Sequence, residues 1–443
     1  MQPISDTHTP RAAIITLGCK VNQYESEAIA EELSRRGFDI CQNDGECDLY
    51  IINTCTVTAE SDRKSRQIIR RALSQNPSAY IIVTGCSAQY DASRIAAIHG
   101  VDYVIGNREK MKVADAALAL VTGGIKNETP VIDVPSLEDA CFEPMTIKKF
   151  DRTRAYIKIQ DGCESHCAYC TIPAVRGKIR SKPSAEVIKE VEELTRTGCG
   201  EIVLTGIETG AYGRDLGDIG LADLMERIDR IDGIGRVRTG SLDPSVITEA
   251  FVDKIARLSS PAPHYHLSLQ SGCSATLARM RRKYNADMAM RALERLRRAI
   301  PDVQFTTDVI VGFPDESEEE FKETLDFVKR ARFLKIHVFP YSIRTGTEAA
   351  KMKGQIPDAV KRERVKILSA LEAEIRSDVL DEYLKTHSRD TVLFETFHDG
   401  FAYGHTPSFI EVKVKTNTPL KGELHQIIPS SRNSDFILAE LEE

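Results

Sequence analysis

Between Ala12 and about Thr122, short apolar runs alternate with amphipathic stretches of helical period. AAIITLG is followed by a helix-length segment ending at Gly37, DLYIINT by a basic helix, and AYIIVTG by a further helix. Such alternation predicts a parallel sheet with crossover helices. Sites in such sheets form outside the carboxyl ends of the strands. Cys19, Cys55 and Cys86 fall at those positions, in Gly18-Cys19, Asn53-Thr54-Cys55 and Gly85-Cys86, so the pattern brings three thiols to one edge.

A linker, roughly Asn127 to Phe150 with Pro130, Pro135 and Pro144, leads to six further strand patterns: AYIKIQ, EIVLTG, RVRTGS, YHLSLQ, FTTDVIVGF and IHVFPY. Each is joined to the next by a helix-length segment, and six βα units predict an incomplete form of the eight-fold barrel, its active face at the carboxyl ends of the strands. A helix over about Asp358 to Thr386 then precedes TVLFETF, SFIEVKV, GELHQIIP and FILAELE, which read as strands of a small antiparallel barrel or sandwich. The expected fold class is α/β in three units: a parallel α/β domain over 10–126, an incomplete (β/α)6 TIM-like barrel over 145–376, and an all-β domain over 380–443.

A chain of 443 residues has room for three cores, and its composition is that of a globular protein. No apolar run approaches the roughly 20 residues of a membrane span, and the polar Met1–Pro10 stretch lacks the hydrophobic region of a secretory signal. The expectation is a cytoplasmic protein without a membrane partner. Its eleven cysteines then read as reduced thiols or cofactor ligands. A formal charge of −7 argues against non-specific coating of nucleic acid, but leaves room for local basic grooves. Arg63, Lys64, Arg66, Arg70 and Arg71 crowd one predicted helix, and Arg279, Arg281, Arg282 and Lys283 a second segment.

Cys163, Cys167 and Cys170 follow the first barrel strand directly, in Asp161-Gly162-Cys163-Glu164-Ser165-His166-Cys167-Ala168-Tyr169-Cys170. Three thiolates at that spacing can hold three corners of an iron–sulfur cube and leave one iron open, which suggests catalysis rather than electron relay. Cys41, Cys47, Cys141, Cys199 and Cys273 have no such placement and read as structural. The alternative is a protein whose cysteines hold zinc or a passive cluster. Zinc wants four Cys or His ligands in paired spacing, and His166 sits inside the same tight loop.

The Cys163-x-x-x-Cys167-x-Tyr169-Cys170 loop resembles the radical S-adenosylmethionine signature. Thr16-Leu17-Gly18-Cys19-Lys20-Val21-Asn22, Asn53-Thr54-Cys55-Thr56-Val57 and Thr84-Gly85-Cys86 resemble the amino-terminal domain of the methylthiotransferases, and the last unit is similar to the TRAM module that helps these enzymes hold RNA. Gly18 to Ser26, with Leu269-Gln270-Ser271-Gly272-Cys273, looks most like the members that modify threonylcarbamoyladenosine in tRNA. The resemblance implies a transferase that installs a methylthio group at C2 of N6-threonylcarbamoyladenosine 37, beside the anticodon. Sister enzymes acting on isopentenyladenosine tRNA or a ribosomal-protein aspartate are the alternatives within the family, and a non-catalytic, cluster-containing RNA-binding protein is the alternative outside it.

The same resemblance implies two 4Fe-4S clusters, one on Cys163, Cys167 and Cys170 that cleaves S-adenosylmethionine, the other on Cys19, Cys55 and Cys86. Two S-adenosylmethionine molecules are used per turnover, with an external reductant, a sulfur donor and a tRNA anticodon stem-loop as partners. Tyr169, Gly206, Glu208, Ser241, Ser268, Gln270 and Asp308 are the expected cofactor contacts, with Gly312 to Pro314 offering a backbone on which adenine packs. Asp308, inside an apolar strand, calls for a partner such as an arginine. The threonylcarbamoyl carboxylate calls for a cation, and Arg176 and Arg344 are the candidates by position. The acidic last unit leaves the basic segments of the first two to hold the RNA.

Overall fold

The computed structural model describes residues 9–41, 46–56, 59–123, 126, 129–150, 153–217 and 219–442. Most of the polar amino-terminal stretch, Val57, Asn127 and Glu443 lie outside them. The first unit is a six-stranded sheet: β1 (Arg11–Thr16), β2 (Asp39–Cys41), β3 (Leu49–Thr54), β4 (Tyr80–Gly85), β5 (Tyr103–Ile105) and β6 (Val131–Asp133), in the order β2-β1-β3-β4-β5-β6. All its pairings are parallel. β3 is buried along its whole length, because helices cover both faces. Ile51 and Ile82 pack on one side, Tyr50, Ile52, Ile81 and Val83 on the other.

β6 was expected to be linker and to lie beyond the first unit's boundary at 126. It forms instead the outer strand of the first sheet, pairing Val131–Asp133 with Tyr103–Ile105. Three residues beside a proline carry no periodicity of their own, and only the exposed edge of β5 makes them a strand.

The central unit comprises β7 (Ala155–Lys158), β8 (Gln160–Asp161), β9 (Arg180–Ser181), β10 (Glu201–Thr205), β11 (Arg236–Thr239), β12 (His264–Gln270), β13 (Gln304–Val311) and β14 (Lys335–Pro340). The six expected barrel strands form two parallel three-stranded sheets, β7-β10-β11 and β12-β13-β14. Parallel bridges at Val237–Pro261 and Leu242–Leu267 join them into an open (β/α)6 wall. β8 and β9 form a short antiparallel ladder at the foot of the Cys163 loop.

The helix Asp358–Thr386 packs against β14 and leads to a closed five-stranded barrel: β15 (Asp390–His398), β16 (Phe401–His405), β17 (Glu411–Lys415), β18 (Leu424–Arg432) and β19 (Ile437–Leu441), ordered β15-β16-β17-β19-β18. β16 was not anticipated. Its signal was Asp399-Gly400, whose φ values of 54° and 75° suit the tight hairpin turn that Asp-Gly favours.

The small barrel closes the amino-terminal end of the large one. Phe409 stacks on His264 and on His405, each at 4.4 Å between centroids, while Arg238 donates to the carbonyls of Thr406 and Pro407. One apolar core runs from Tyr24 and Ala28 of the first helix, through the large barrel, to Phe394 and Val412 of the small one.

Candidate active site

The first cysteine trio is built by the sheet. Cys19 precedes the helix Lys20–Arg35 after β1, Cys55 follows β3, and Cys86 opens a short helix after β4. Asn22 laces the turns together, its amide donating to the carbonyls of Leu17 and Thr54 at 2.8 and 3.0 Å, while Ser87 donates to the carbonyl of Cys55 at 2.8 Å. Gly18, at φ +96°, is where the first two loops meet, since a Cβ there would stand 2.8 Å from that of Cys55.

The second trio sits in one loop above the large barrel. Cys163 donates to the Glu208 carboxylate at 3.0 Å, Cys167 accepts from Arg282 at 3.1 Å, and Cys170 accepts from the Ile172 amide at 3.4 Å. Burial, with the Glu208 carboxylate beside it, pushes the Cys163 thiol up to about 12, and burial pushes Cys170 up to about 11. A bound cation supplies the charge that deprotonates such thiols.

His266, Asp308 and His337 are the group whose His, Cys, Asp or Glu ligand atoms lie within 4.8 Å of one another among the described residues. Neither thiol trio closes to that spacing. A single zinc ion, with ligands at about 2.3 Å, needs thiolates roughly 4 Å apart. A cluster carries each thiolate on a separate iron and so does not require that spacing. Both trios therefore have the donor set for an iron–sulfur cluster.

Of the expected cofactor contacts, Glu208 stands at the cluster loop, its amide bound to Gln160 and its carboxylate within 3.4 Å of the Ser165 hydroxyl. Gly206 packs against Gln160. Tyr169 meets Phe313 edge to face at 6.4 Å. Ser241 is exposed after β11, whereas Ser268 and Gln270 are half-buried in β12, where a register shift leaves Gln270 at φ +68°.

Two expectations, the partner of Asp308 and the role of Arg176, are corrected. Asp308 pairs not with an arginine but with His266, Nε2 to Oδ2 at 3.3 Å. A Cβ on Gly312 would approach Lys361 to 2.4 Å, so that glycine admits the helix Asp358–Thr386 beside the end of β13. Arg176 is not a substrate arm. It is fully buried, with Nη1 on Glu25 and Asp161, Nη2 on Asn22 and Glu25, and Nε 3.4 Å from the Cys86 sulfur.

Arg176 belongs to a buried network in which Glu25 also meets Lys110 and Lys158, and Asp161 meets Lys158 and Arg180. Burial alone would raise the Glu25 pKa, but Arg176, Lys110 and Lys158 hold it well below the usual carboxylate range. The network ties the helix that starts at Cys19 to the segment that follows Cys170. The two units that carry the trios are thus tied together by buried charges from both.

Arg344 lies beside the first trio, donating to the hydroxyl of Thr56. Of the basic runs, Arg63, Lys64, Arg70 and Arg71 are exposed on one helix. The second run is engaged within the fold: Arg279 pairs with Glu320, and Arg282 binds Asp243 and Cys167. Arg282 had been read only as part of that basic run, because Cys167 and Asp243 are remote from it in sequence. An aromatic face on the small barrel was also missed. Lys413 lies 3.9 Å from the Phe401 ring centroid and within 5.4 Å of those of Tyr403 and Phe436, and His398 stacks on Tyr403 at 4.2 Å.

A model of the Radical SAM superfamily matches residues 157–328, and one of the Uncharacterized protein family UPF0004 matches residues 11–106. The Threonylcarbamoyladenosine tRNA methylthiotransferase MtaB of Bacillus subtilis (strain 168) is 40% identical over 421 residues, covering 94% of this chain and 92% of its own. The tRNA-2-methylthio-N(6)-dimethylallyladenosine synthase of Acetivibrio thermocellus is 33% identical over 376 residues, covering 83% and 78%. Among solved structures, the radical S-adenosylmethionine methyltransferase TsrM of Kitasatospora setae superposes with a TM-score of 0.58 at 15% identity, covering 77% of each chain, which is a likeness of fold.

Proposed function

The chain belongs to the tRNA methylthiotransferases of the radical S-adenosylmethionine superfamily, and from that premise we propose that it installs a methylthio group at C2 of N6-threonylcarbamoyladenosine 37 in tRNA. The observation that carries the reading is Arg176, which follows one cysteine loop in the chain and stands 3.4 Å from the sulfur of Cys86 in the other trio, joining the two cysteine-bearing units. The threonylcarbamoyl choice draws on the higher identity to a relative with that named substrate, 40% against 33% to 36% for the dimethylallyladenosine synthases.

When bound on Cys163, Cys167, Cys170 and on Cys19, Cys55, Cys86, two 4Fe-4S clusters with two equivalents of S-adenosylmethionine supply the one-electron cleavage and the methylated sulfur that such a transfer requires. Glu208 accepts the amino group of the cofactor beside Cys163. Arg282 fixes the loop by donating to Cys167, and its grip on the Ser268 carbonyl at 3.0 Å holds β12 against the loop. Asp308, steadied by His266, faces the barrel interior below. Tyr169 on Phe313 walls that interior, and the Phe409 plug closes its far end to water.

The Lys413 face offers stacking surfaces and a cation for single-stranded bases, which suits an anticodon loop. An external reductant and a sulfur donor complete the scheme. No helix among the described residues is long and apolar enough to cross a membrane, which accords with a cytoplasmic enzyme.

The test is mass spectrometry of nucleosides from tRNA carrying threonylcarbamoyladenosine, after anaerobic incubation with reconstituted protein, S-adenosylmethionine, sulfide and reductant. A methylthio mass gain on that nucleoside is expected. A gain only on isopentenyladenosine tRNA in a parallel tube overturns the substrate and keeps the chemistry.

A further inference from the structure

β12, β13 and β14 run parallel, with Thr306 opposite His266 and His337 opposite Asp308. Alternate side chains of a strand share a face. Tyr265, Leu267, Phe305, Val309 and Ile336 form one series, buried in the core. His266, Asp308 and His337 belong to the other, which faces the barrel interior.

One ligand atom of each lies within 4.8 Å of the other two. His266 Nε2 and Asp308 Oδ2 stand 3.3 Å apart. That is longer than the usual 2.9–3.0 Å (about) of an N–H···O bond. Two ligands on one ion, each bonded at about 2.1 Å, stand about 3.0–3.4 Å apart, so this pair already has the spacing. His337 is the outer member, exposed and in contact with the His266 ring at 6.0 Å between centroids, and a turn of its ring completes the set.

His266 is also oriented from behind. The Thr306 hydroxyl lies 2.8 Å from its Nδ1 and 3.1 Å from Nε2 of His264, so it can accept from the first ring while donating to the second. His264 is itself held flat against Phe409. With the His266 proton on Nδ1, its Nε2 lone pair points at the Asp308 carboxylate, and a cation is what satisfies both; ligating imidazoles are commonly fixed in this way by a bond to the other nitrogen.

We propose that His266, Asp308 and His337 form a site for one first-row divalent cation, with its remaining coordination positions open to the barrel interior. Two imidazoles and a carboxylate suit zinc or ferrous iron. Magnesium and calcium collect oxygen ligands, and this set offers one carboxylate, with Lys20 and Lys335 near enough to act on His337. Affinity for nitrogen, not the local field, must hold the ion. The site lies below the Cys163 loop: Ser268, the next inward position of β12, is gripped at its carbonyl by Arg282, which donates to Cys167. An ion there is distinct from both thiol trios and presents a Lewis acid to an oxygen of whatever enters the barrel. The inference does not depend on which nucleoside is the substrate.

Zinc is the probe. The cluster-reconstituted full chain, its two thiol trios occupied, is equilibrated anaerobically with zinc against a competing chelator. Bound zinc is counted by elemental analysis, and X-ray absorption at the zinc edge reads the ligand atoms. About one zinc per chain is expected, with nitrogen and oxygen ligands alone and the scattering signature of imidazole. Binding should weaken roughly a hundredfold in His266→Ala and in His337→Ala, and roughly tenfold in Thr306→Val. His337 is exposed, so its truncation leaves no void, and the wild-type spectrum needs no variant at all. Sulfur among the ligands places the zinc on a thiol and overturns the proposal. So does unaltered binding in His337→Ala, or a wild-type chain that retains no zinc against the chelator.

Discussion

Cys19, Cys55 and Cys86 come together only because three parallel strands end side by side, whereas Cys163, Cys167 and Cys170 share one loop pinned at its foot by the β8–β9 ladder. The first mouth is a property of the whole sheet; the second is nearly a property of a peptide. Each nevertheless has an arginine donating to one of its sulfurs, Arg176 to Cys86 and Arg282 to Cys167. Arg176 comes from the unit that carries the other trio, while Arg282 comes from the trio's own barrel. Assembly of the sheet-built mouth therefore depends on docking, and assembly of the loop-built mouth does not.

The sharpest way to break that comparison is to remove one ligand from each. Cys163→Ala is expected to abolish S-adenosylmethionine cleavage, and Cys19→Ala to leave 5′-deoxyadenosine formation while ending methylthio transfer. Each variant should lose about half the iron, read by iron assay and chromatography of the nucleosides. Loss of cleavage in both would show that the mouths do not act independently.

Next in size is Arg176→Met, which leaves the buried Glu25 and Asp161 short of a cation. A destabilisation of about 3–5 kcal/mol in urea unfolding is expected, with iron lost from the first trio before the second. Simultaneous loss would place Arg176 equally in both mouths.

The smallest effect is expected at Gly18→Ala, where a left-handed backbone and the Cβ of Cys55 both oppose a side chain. A penalty of about 1–3 kcal/mol should appear as slowed iron loading. In a Cys163→Ala background, which isolates the first trio, the slowing should persist, and in a Cys19→Ala background it should vanish.

What could be read from the sequence follows the same division. The second trio was legible outright because its spacing is local, and the first because glycines and strand ends mark the positions. Arg176 was misread since, on the chain, it is merely a cation after the cysteine loop; Glu25 and Asn22 reach it only across a domain boundary. His266, Asp308 and His337 meet because β12, β13 and β14 lie in register, which no spacing displays. β6 was invisible for another reason, since a strand of three residues draws its order from a neighbour rather than from its own pattern, whereas β16 was marked by its Asp399-Gly400 turn and overlooked.

The Phe409 stopper has one more consequence. Because it wedges the small barrel into the large one over a shared core, the reach from the Lys413 face to the Cys163 loop is fixed by packed side chains and not by a tether. Whatever the small barrel holds is thereby presented at a set span from the Cys163 loop, and on the proposed function that span would act as a caliper for the RNA.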